Sequence, residues 1–190
     1  MRILMLGNSF TYCHDMPVIV EKILGEEVVS HTRGGAYLAE QYNPETEMGA
    51  KTLAALKNEK WDYVVLQEQS FAPVAFKDNF QNSVSRLCEL IRENGATPVL
   101  YASWAYREGS EKLGTTGMTY DAMDKALFDS YHEAADKNNA LIADVGKAFT
   151  AIRGIVDLYE PDDYHPSAAG SVLAAETIAR VIREDWQSRK

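Results

Sequence analysis

The sequence predicts an α/β protein: a three-layer α/β/α sandwich around a mostly parallel central sheet. Three observations carry that expectation. Near-continuous apolar runs at 3–6, 61–66, 97–102 and 140–145 have the composition of strands buried on both faces. Stretches with apolar residues at a period of about 3.6 stand between these runs. The chain carries no internal repeat, low-complexity segment or linker, so residues 1–190 read as one domain.

Composition narrows the function classes. Of 190 residues, 46% are hydrophobic and 25% charged, which is ordinary for a globular domain. The net charge of −9 argues against nucleic acid or an anionic membrane as partner, because phosphate contacts need a basic face. Cys13 and Cys88 form neither a metal-ligand spacing nor a redox pair, and a reduced setting is expected for them. The first residues lack a charged leader followed by a long apolar stretch, and no apolar run could span a bilayer. A soluble, cytoplasmic protein is expected. No His/Cys/Asp cluster has metal spacing, and no Gly-x-x-x-x-Gly-Lys or Gly-x-Gly-x-x-Gly string is present, so neither metal nor cofactor is expected. A small molecule is the expected partner, and no pattern bears on oligomeric state.

Taken in order, Ile3–Leu6 is the first strand, broken by Gly7-Asn8 with Ser9 at its C-terminal end. Met16, Ile19, Val20, Ile23 and Leu24 share one helical stripe, with Pro17 in its first turn and Gly25 ending it. Residues 27–32 form a short strand candidate, followed by the Arg33-Gly34-Gly35-Ala36 loop. Residues 37–56 read as partly helical, interrupted at Asn43-Pro44. The strand at 61–66 ends in Gln67-Glu68-Gln69-Ser70, and a helix over 80–94 stops at Gly95. Beyond the strand at 97–102 come Ser103-Trp104-Ala105 and a polar, glycine-containing segment, 107–119, that reads as a mobile surface loop and a specificity element. A helix over 118–138, a strand at 140–145, a short helix through Phe149 and a final helix over 167–186 complete the chain.

The chemistry gathers at strand ends. In an open parallel sheet the strand C-termini share one edge, and ligands bind there. Ser9, the Gly34-Gly35 loop and Gln67/Gln69 should all open on that edge, with Asp162-x-x-His165 arriving just before the last helix. Serine, histidine and carboxylate are the parts of nucleophilic acyl transfer: attack, proton removal, and fixing of the imidazole tautomer. Asp162 and His165 are three positions apart, a spacing at which side chains converge in a turn that Pro166 keeps out of the helix. The N–H groups of Ser9 and Gly35 and a side-chain amide from Gln67 or Gln69 would supply an oxyanion hole. The plainer alternative makes Ser9 the N-cap of the next helix. Asn8, Phe10, Tyr12, His14, Trp104 and Tyr106 are candidate pocket residues; Tyr12, Trp104 and Tyr106 suit either a platform for a sugar ring or core packing, and His14 either the pocket or a solvated loop.

The order of these pieces resembles the SGNH (GDSL-like) hydrolase superfamily over nearly the whole chain. Gly7-Asn8-Ser9-Phe10 looks like its first block, Gly35 like its second, and Asp162-Asp163-Tyr164-His165-Pro166-Ser167 like its last. The resemblance implies a flavodoxin-like α/β/α fold. It makes Ser9 the nucleophile, His165 the base, Asp162 the orienting carboxylate, and Gly35 an oxyanion donor. The third block departs from the family's Gly-x-Asn-Asp: Leu66-Gln67-Glu68-Gln69-Ser70 stands there instead. It is similar to the variant of a branch with a Gly-Asn-Ser-Phe first block, and to the Gln-Gly-Glu-Ser stretch of sialate and xylan acetylesterases. A Gln amide carries the same donor on one extra methylene, with Gln67 preferred over Gln69. The expected function is a serine esterase, of EC 3.1.1 type, for a small, acetyl-type ester of a carbohydrate or related metabolite. The alternatives are a catalytically weak carbohydrate-binding module, and a lipase or thioesterase of the same superfamily.

Overall fold

A computed structural model describes residues 1–189. In chain order the elements are β1 (Arg2–Gly7), α1 (Ser9–Tyr12), α2 (Met16–Leu24), β2 (Glu27–Thr32), α3 (Glu47–Asn58), β3 (Tyr63–Leu66), α4 (Ala72–Ala75) and α5 (Lys77–Asn94). They continue with β4 (Thr97–Ala102), α6 (Glu111–Gly114), α7 (Tyr120–Asn138), β5 (Leu141–Asp144), α8 (Val145–Ala151) and α9 (Ala168–Ser188). The five strands are all parallel, in the order β2-β1-β3-β4-β5.

Alternation along the central strands divides the core. Leu4, Leu6, Val64, Leu66 and Leu100 face one layer, packed by α3, α5 and α7 through residues such as Leu56, Val84, Leu87 and Leu127. Ile3, Met5, Tyr63, Val65, Val99 and Tyr101 face the other, packed by α2, α8 and α9 through Val20, Phe149 and Ile178. Burial on both faces is why these strands read as apolar runs rather than as an alternating pattern. The strand order reverses between β1 and β3, and such a switch point opens a crevice at the carboxyl edge of the sheet. The turns after β1 and β3 are the ones that carry Ser9 and Gln67–Ser70.

Two local features differ from the sequence expectation. The segment 107–119 is no loose loop. Arg107 donates its backbone N–H to Asp163 O at 2.8 Å and its side chain pairs with Asp157 at 2.9 Å and Asp163 at 2.8 Å. Leu113, in α6, is buried in the core. An arginine with two carboxylate partners and a buried leucine anchor what the glycines and polar residues suggested was free. Pro166, expected at the first helical position, stands two residues before it: Ser167 is the N-cap of α9, its Oγ accepting from Gly170 N at 3.2 Å. Among the described residues no helix is long and apolar enough to cross a membrane, and Cys13 and Cys88 are free thiols.

Candidate active site

The turn after β1 sets Ser9. Asn8, not Ser9, caps α1: its Oδ1 accepts from Phe10 N at 3.1 Å, while its Nδ2 donates to Ala36 O at 3.0 Å. The Ser9 hydroxyl is therefore free of capping, and its Oγ lies 2.8 Å from His165 Nε2. On the far side of the ring, His165 Nδ1 is 2.6 Å from Asp162 Oδ2. Asp162 Oδ1 accepts from the backbone N–H of His165 at 3.0 Å and of Tyr164 at 3.3 Å. Partial burial works against the Asp162 charge, but the His165 ring and these two N–H donors outweigh it and hold the carboxyl below its usual range. A carboxylate at Nδ1 fixes the imidazole with Nε2 open to accept a proton from Ser9.

Three supports hold the Asp162–His165 turn against the sheet. Glu160 N donates to His165 O at 2.9 Å and Ser167 N to Leu158 O at 2.9 Å, closing a small antiparallel pairing. Arg107 grips Asp163, whose φ of 68° is left-handed, a conformation that Asp tolerates better than most residues. Trp104 then links the turn to the Ser9 side. Its indole stacks between Phe149 (centroids 4.0 Å apart) and Phe10 (4.6 Å), and its Nε1 donates to Tyr164 O at 3.0 Å. Phe10 in turn meets the His165 ring edge-on at 5.7 Å.

A cleft of about 230 Å³ opens over Ser9, lined by Asn8, Ser9, Phe10, Tyr12, Gly34, Gly35, Gln69, Ser70, Tyr164 and His165. Asn8, Phe10 and Tyr12 thus stand where the sequence suggested. The other three pocket candidates do not. Trp104 is 0% exposed and serves as the aromatic pillar just described. Tyr106 is buried, its hydroxyl 2.8 Å from Ser70 Oγ. His14 points away, with Nε2 at 2.8 Å from Glu160 on the exposed surface. Gly34 lines the cleft with Gly35, as expected of their loop, while Ser70 and Tyr164 line it without having been singled out as pocket residues; Tyr164, whose ring lies 4.1 Å from that of His165, could have been flagged as its aromatic neighbour.

The structure does not bring Gln67, the preferred oxyanion donor, to the cleft. Gln67 is 0% exposed. Its Oε1 accepts from Asn8 N and Thr11 Oγ1, both at 2.9 Å, its Nε2 donates one N–H to Glu68 O, and the side chain does not line the cleft. Gln69 lines the cleft instead. Its Oε1 accepts from Phe71 N at 3.1 Å and Ala72 N at 3.2 Å, which fixes the amide, and its Nε2 lies 3.2 Å from Ser70 Oγ. Gly35, with a φ of 68°, needs the left-handed conformation open to glycine and brings backbone to the cleft wall. One buried carboxylate ties the two walls: Glu68 Oε1 accepts from Leu38 N at 3.1 Å, beyond the Gly35 loop, and from Gln69 N at 2.7 Å.

A solved structure of an SGNH-hydrolase-type protein from Slackia heliotrinireducens is similar to this chain at 46% identity, with a TM-score of 0.93 over 96% of this chain and 98% of that one. The chain belongs to the SGNH hydrolases. That superfamily comprises hydrolases of the esterase and lipase kind, and the parallel five-stranded sandwich is its fold. Two more distant structures share the SGNH fold alone. One is a DUF4886 family protein from Bacteroides uniformis, at 21% identity and a TM-score of 0.74 over 95% of this chain and 82% of that one. The other is an acetyl-xylooligosaccharide esterase from Geobacillus stearothermophilus, at 16% identity and a TM-score of 0.68 over 95% and 93%. No protein-family model and no curated protein sequence matches the chain. Among the described residues, no group of three or more His, Cys, Asp or Glu side chains is placed to hold a metal ion.

Proposed function

We propose that this SGNH hydrolase is a serine esterase that removes a small, acetyl-type acyl group from a carbohydrate or related metabolite. The observation that carries the reading is the unbroken chain from Ser9 Oγ through His165 to Asp162, at 2.8 Å and 2.6 Å, beside a cleft of only about 230 Å³. Ser9 Oγ attacks the ester carbonyl carbon as its proton passes to His165 Nε2. Negative charge develops on the carbonyl oxygen, where the N–H groups of Ser9 and Gly35 and the Gln69 amide are the donors at hand. His165 then returns the proton to the leaving oxygen as the carbon–oxygen bond breaks, leaving acyl-Ser9. Water repeats the sequence with His165 again as base, and the acid departs. Asp162 stays ionised throughout and stabilises the imidazolium.

The cleft volume favours a short acyl group: a site that encloses most of a drug-sized ligand commonly measures roughly 300–1,000 Å³. The likeness to an acetyl-xylooligosaccharide esterase points the same way. The test compares wild type with Ser9→Ala on p-nitrophenyl acetate and on a fluorophosphonate probe. Turnover and labelling are expected in wild type and in neither case for Ser9→Ala. Labelling that persists without the hydroxyl would sink the reading.

A further inference from the structure

A second, larger opening lies beside the cleft and has no part in the mechanism above. It measures about 690 Å³ and is lined by Tyr37, Glu40, Glu68, Phe76, Asn79 and Asn82, among others. Its walls continue those of the cleft: Tyr37 stands two residues beyond Gly35, and Glu68 immediately precedes Gln69. The two openings thus share the backbone stretches 34–37 and 68–69 as walls, and a group attached to an ester at Ser9 has this groove as its neighbour.

We infer that this groove holds the leaving group of the ester, and that the group is an uncharged, polyhydroxylated ring such as a pyranose. The inference rests on the Ser9 esterase reading and extends it to the alcohol side. Three features specify the occupant. Tyr37 and Phe76 are 40% and 54% exposed, unusual for aromatic rings, and stand 6.5 Å apart at 64°. They offer two apolar faces of the size of a sugar ring. The carboxamides of Asn79 and Asn82 add donors and acceptors to the lining. Glu68, only 2% exposed, also contributes to the lining; its Oε1 is spent on Leu38 N and Gln69 N, while its Oε2 makes no hydrogen bond among the described residues. That oxygen is left free to pair with a hydroxyl from a ligand.

Charge excludes the competing occupants. The lining holds two carboxyl groups, Glu40 and Glu68, and no Lys, Arg or His. A phosphorylated sugar or a nucleotide-bearing thioester would find no free cation there, because the guanidinium of neighbouring Arg33 is already paired with Glu40 at 2.5 Å. A long acyl chain would place methylenes against Glu68 and two carboxamides, leaving those groups without hydrogen bonds.

The experiment uses Phe76→Ala and Asn79→Ala, both surface substitutions outside the Ser9–His165–Asp162 chain. Hydrolysis is followed by pH-stat on mono-O-acetyl methyl pyranosides, on trifluoroethyl acetate, whose leaving group is too small to reach the groove, and on an octanoate ester. Phe76→Ala is expected to lower kcat/KM on the acetylated pyranosides about tenfold, mainly through KM, and to leave trifluoroethyl acetate within about twofold. Equal effects on both acetates, or none on the sugar esters, would overturn the inference. So would a loss confined to the octanoate. If wild type turns over none of these esters, the esterase reading fails on its own. Calorimetric binding of the same acetylated pyranosides then decides the groove: affinity weakened by Phe76→Ala supports it, and absent or unchanged binding refutes it.

Discussion

Two buried titratable groups give the protein opposing pH responses, and one substitution should separate them. Burial pushes the Glu68 carboxyl up from 4.5 to about 7, with Glu40 adding to the rise and the N–H donors of Gln69 and Leu38 opposing it. The folded state therefore holds a proton that the unfolded chain releases between these values. Stability contributed by protonated Glu68 is present below pH 4.5 and lost as pH rises to about 7, by about 3 kcal/mol. His31 does the reverse. Buried in β2, with Lys51 nearby and Glu59 opposing, it is held down at about 4 from 6.5. Its Nδ1 lies 3.0 Å from Thr52 Oγ1, which itself donates to Gln41 Oε1 at 2.7 Å, so the neutral ring is the Nδ1–H tautomer. Its contribution is present above pH 6.5 and lost as pH falls to about 4, again by about 3 kcal/mol.

Between pH 4.5 and 6.5 the two slopes cancel, and the wild type should be nearly flat there. Glu68→Gln keeps an oxygen to accept from Leu38 N and Gln69 N but cannot ionise. The variant should gain stability with pH across that window, by about 3 kcal/mol, and exceed wild type most above pH 7. Urea unfolding followed by the fluorescence of buried Trp61 and Trp104, at half-unit steps from pH 4.5 to 8, measures this directly. Parallel stability curves for the variant and wild type would refute the reasoning, because Glu68 would then titrate alike folded and unfolded.

Two further outcomes test the architecture of the site. Gln69→Glu keeps the acceptor for Phe71 N and Ala72 N but replaces the donor with a charge that repels an oxyanion. It should lower kcat on p-nitrophenyl acetate by about 10²–10³ with little change in unfolding midpoint, whereas Gln67→Ala should cost stability first, about 1–3 kcal/mol for each donor stranded at Asn8 N and Thr11 Oγ1; the reverse pattern would return the oxyanion role to Gln67. Gly7→Ala should destabilise by more than 1 kcal/mol in the same urea assay, because a Cβ there would stand 2.6 Å from Gln67 Oε1 and closer still to Thr11 Oγ1; an unchanged midpoint would show that the Gln67 cradle is slack.

The strands were legible because a parallel sheet buries both faces and leaves apolar runs with little else to mean. The pairing of Ser9 with Asp162-x-x-His165 was legible for a different reason, the order of the blocks along the chain. Two things were not. Gln67 and Gln69 are two residues apart and would share a face in an extended strand, so periodicity cannot separate them. What separates them is the end of β3 at Leu66 and the turn in which Ala72 N bonds to Gln69 O at 3.0 Å, and that turn has no glycine or Asn-Gly signal. Trp104 was the other. An aromatic residue at a strand end suits either a cleft wall or a core pillar, and Phe149, 45 residues further on, decides the matter by stacking against it.

These two ambiguities share a cause. At the edge of the sheet, residues adjacent in sequence divide between holding the site and facing the ligand, and which does which depends on distant partners. Gln67 holds the nucleophile turn through Asn8 and Thr11, and Glu68 joins the Gly35 loop to the Gln69 turn. Gln69 alone of the three lines the cleft. The Gln67-Glu68-Gln69 stretch therefore does more than present one amide. It places two buried acceptors just before Gln69: one for the Ser9 turn, one for the Gly35 loop. The Gln69 turn and these two backbone walls are thus bound into one unit. Preorganisation of that kind is what lets an oxyanion be stabilised without reorganisation at the moment of reaction.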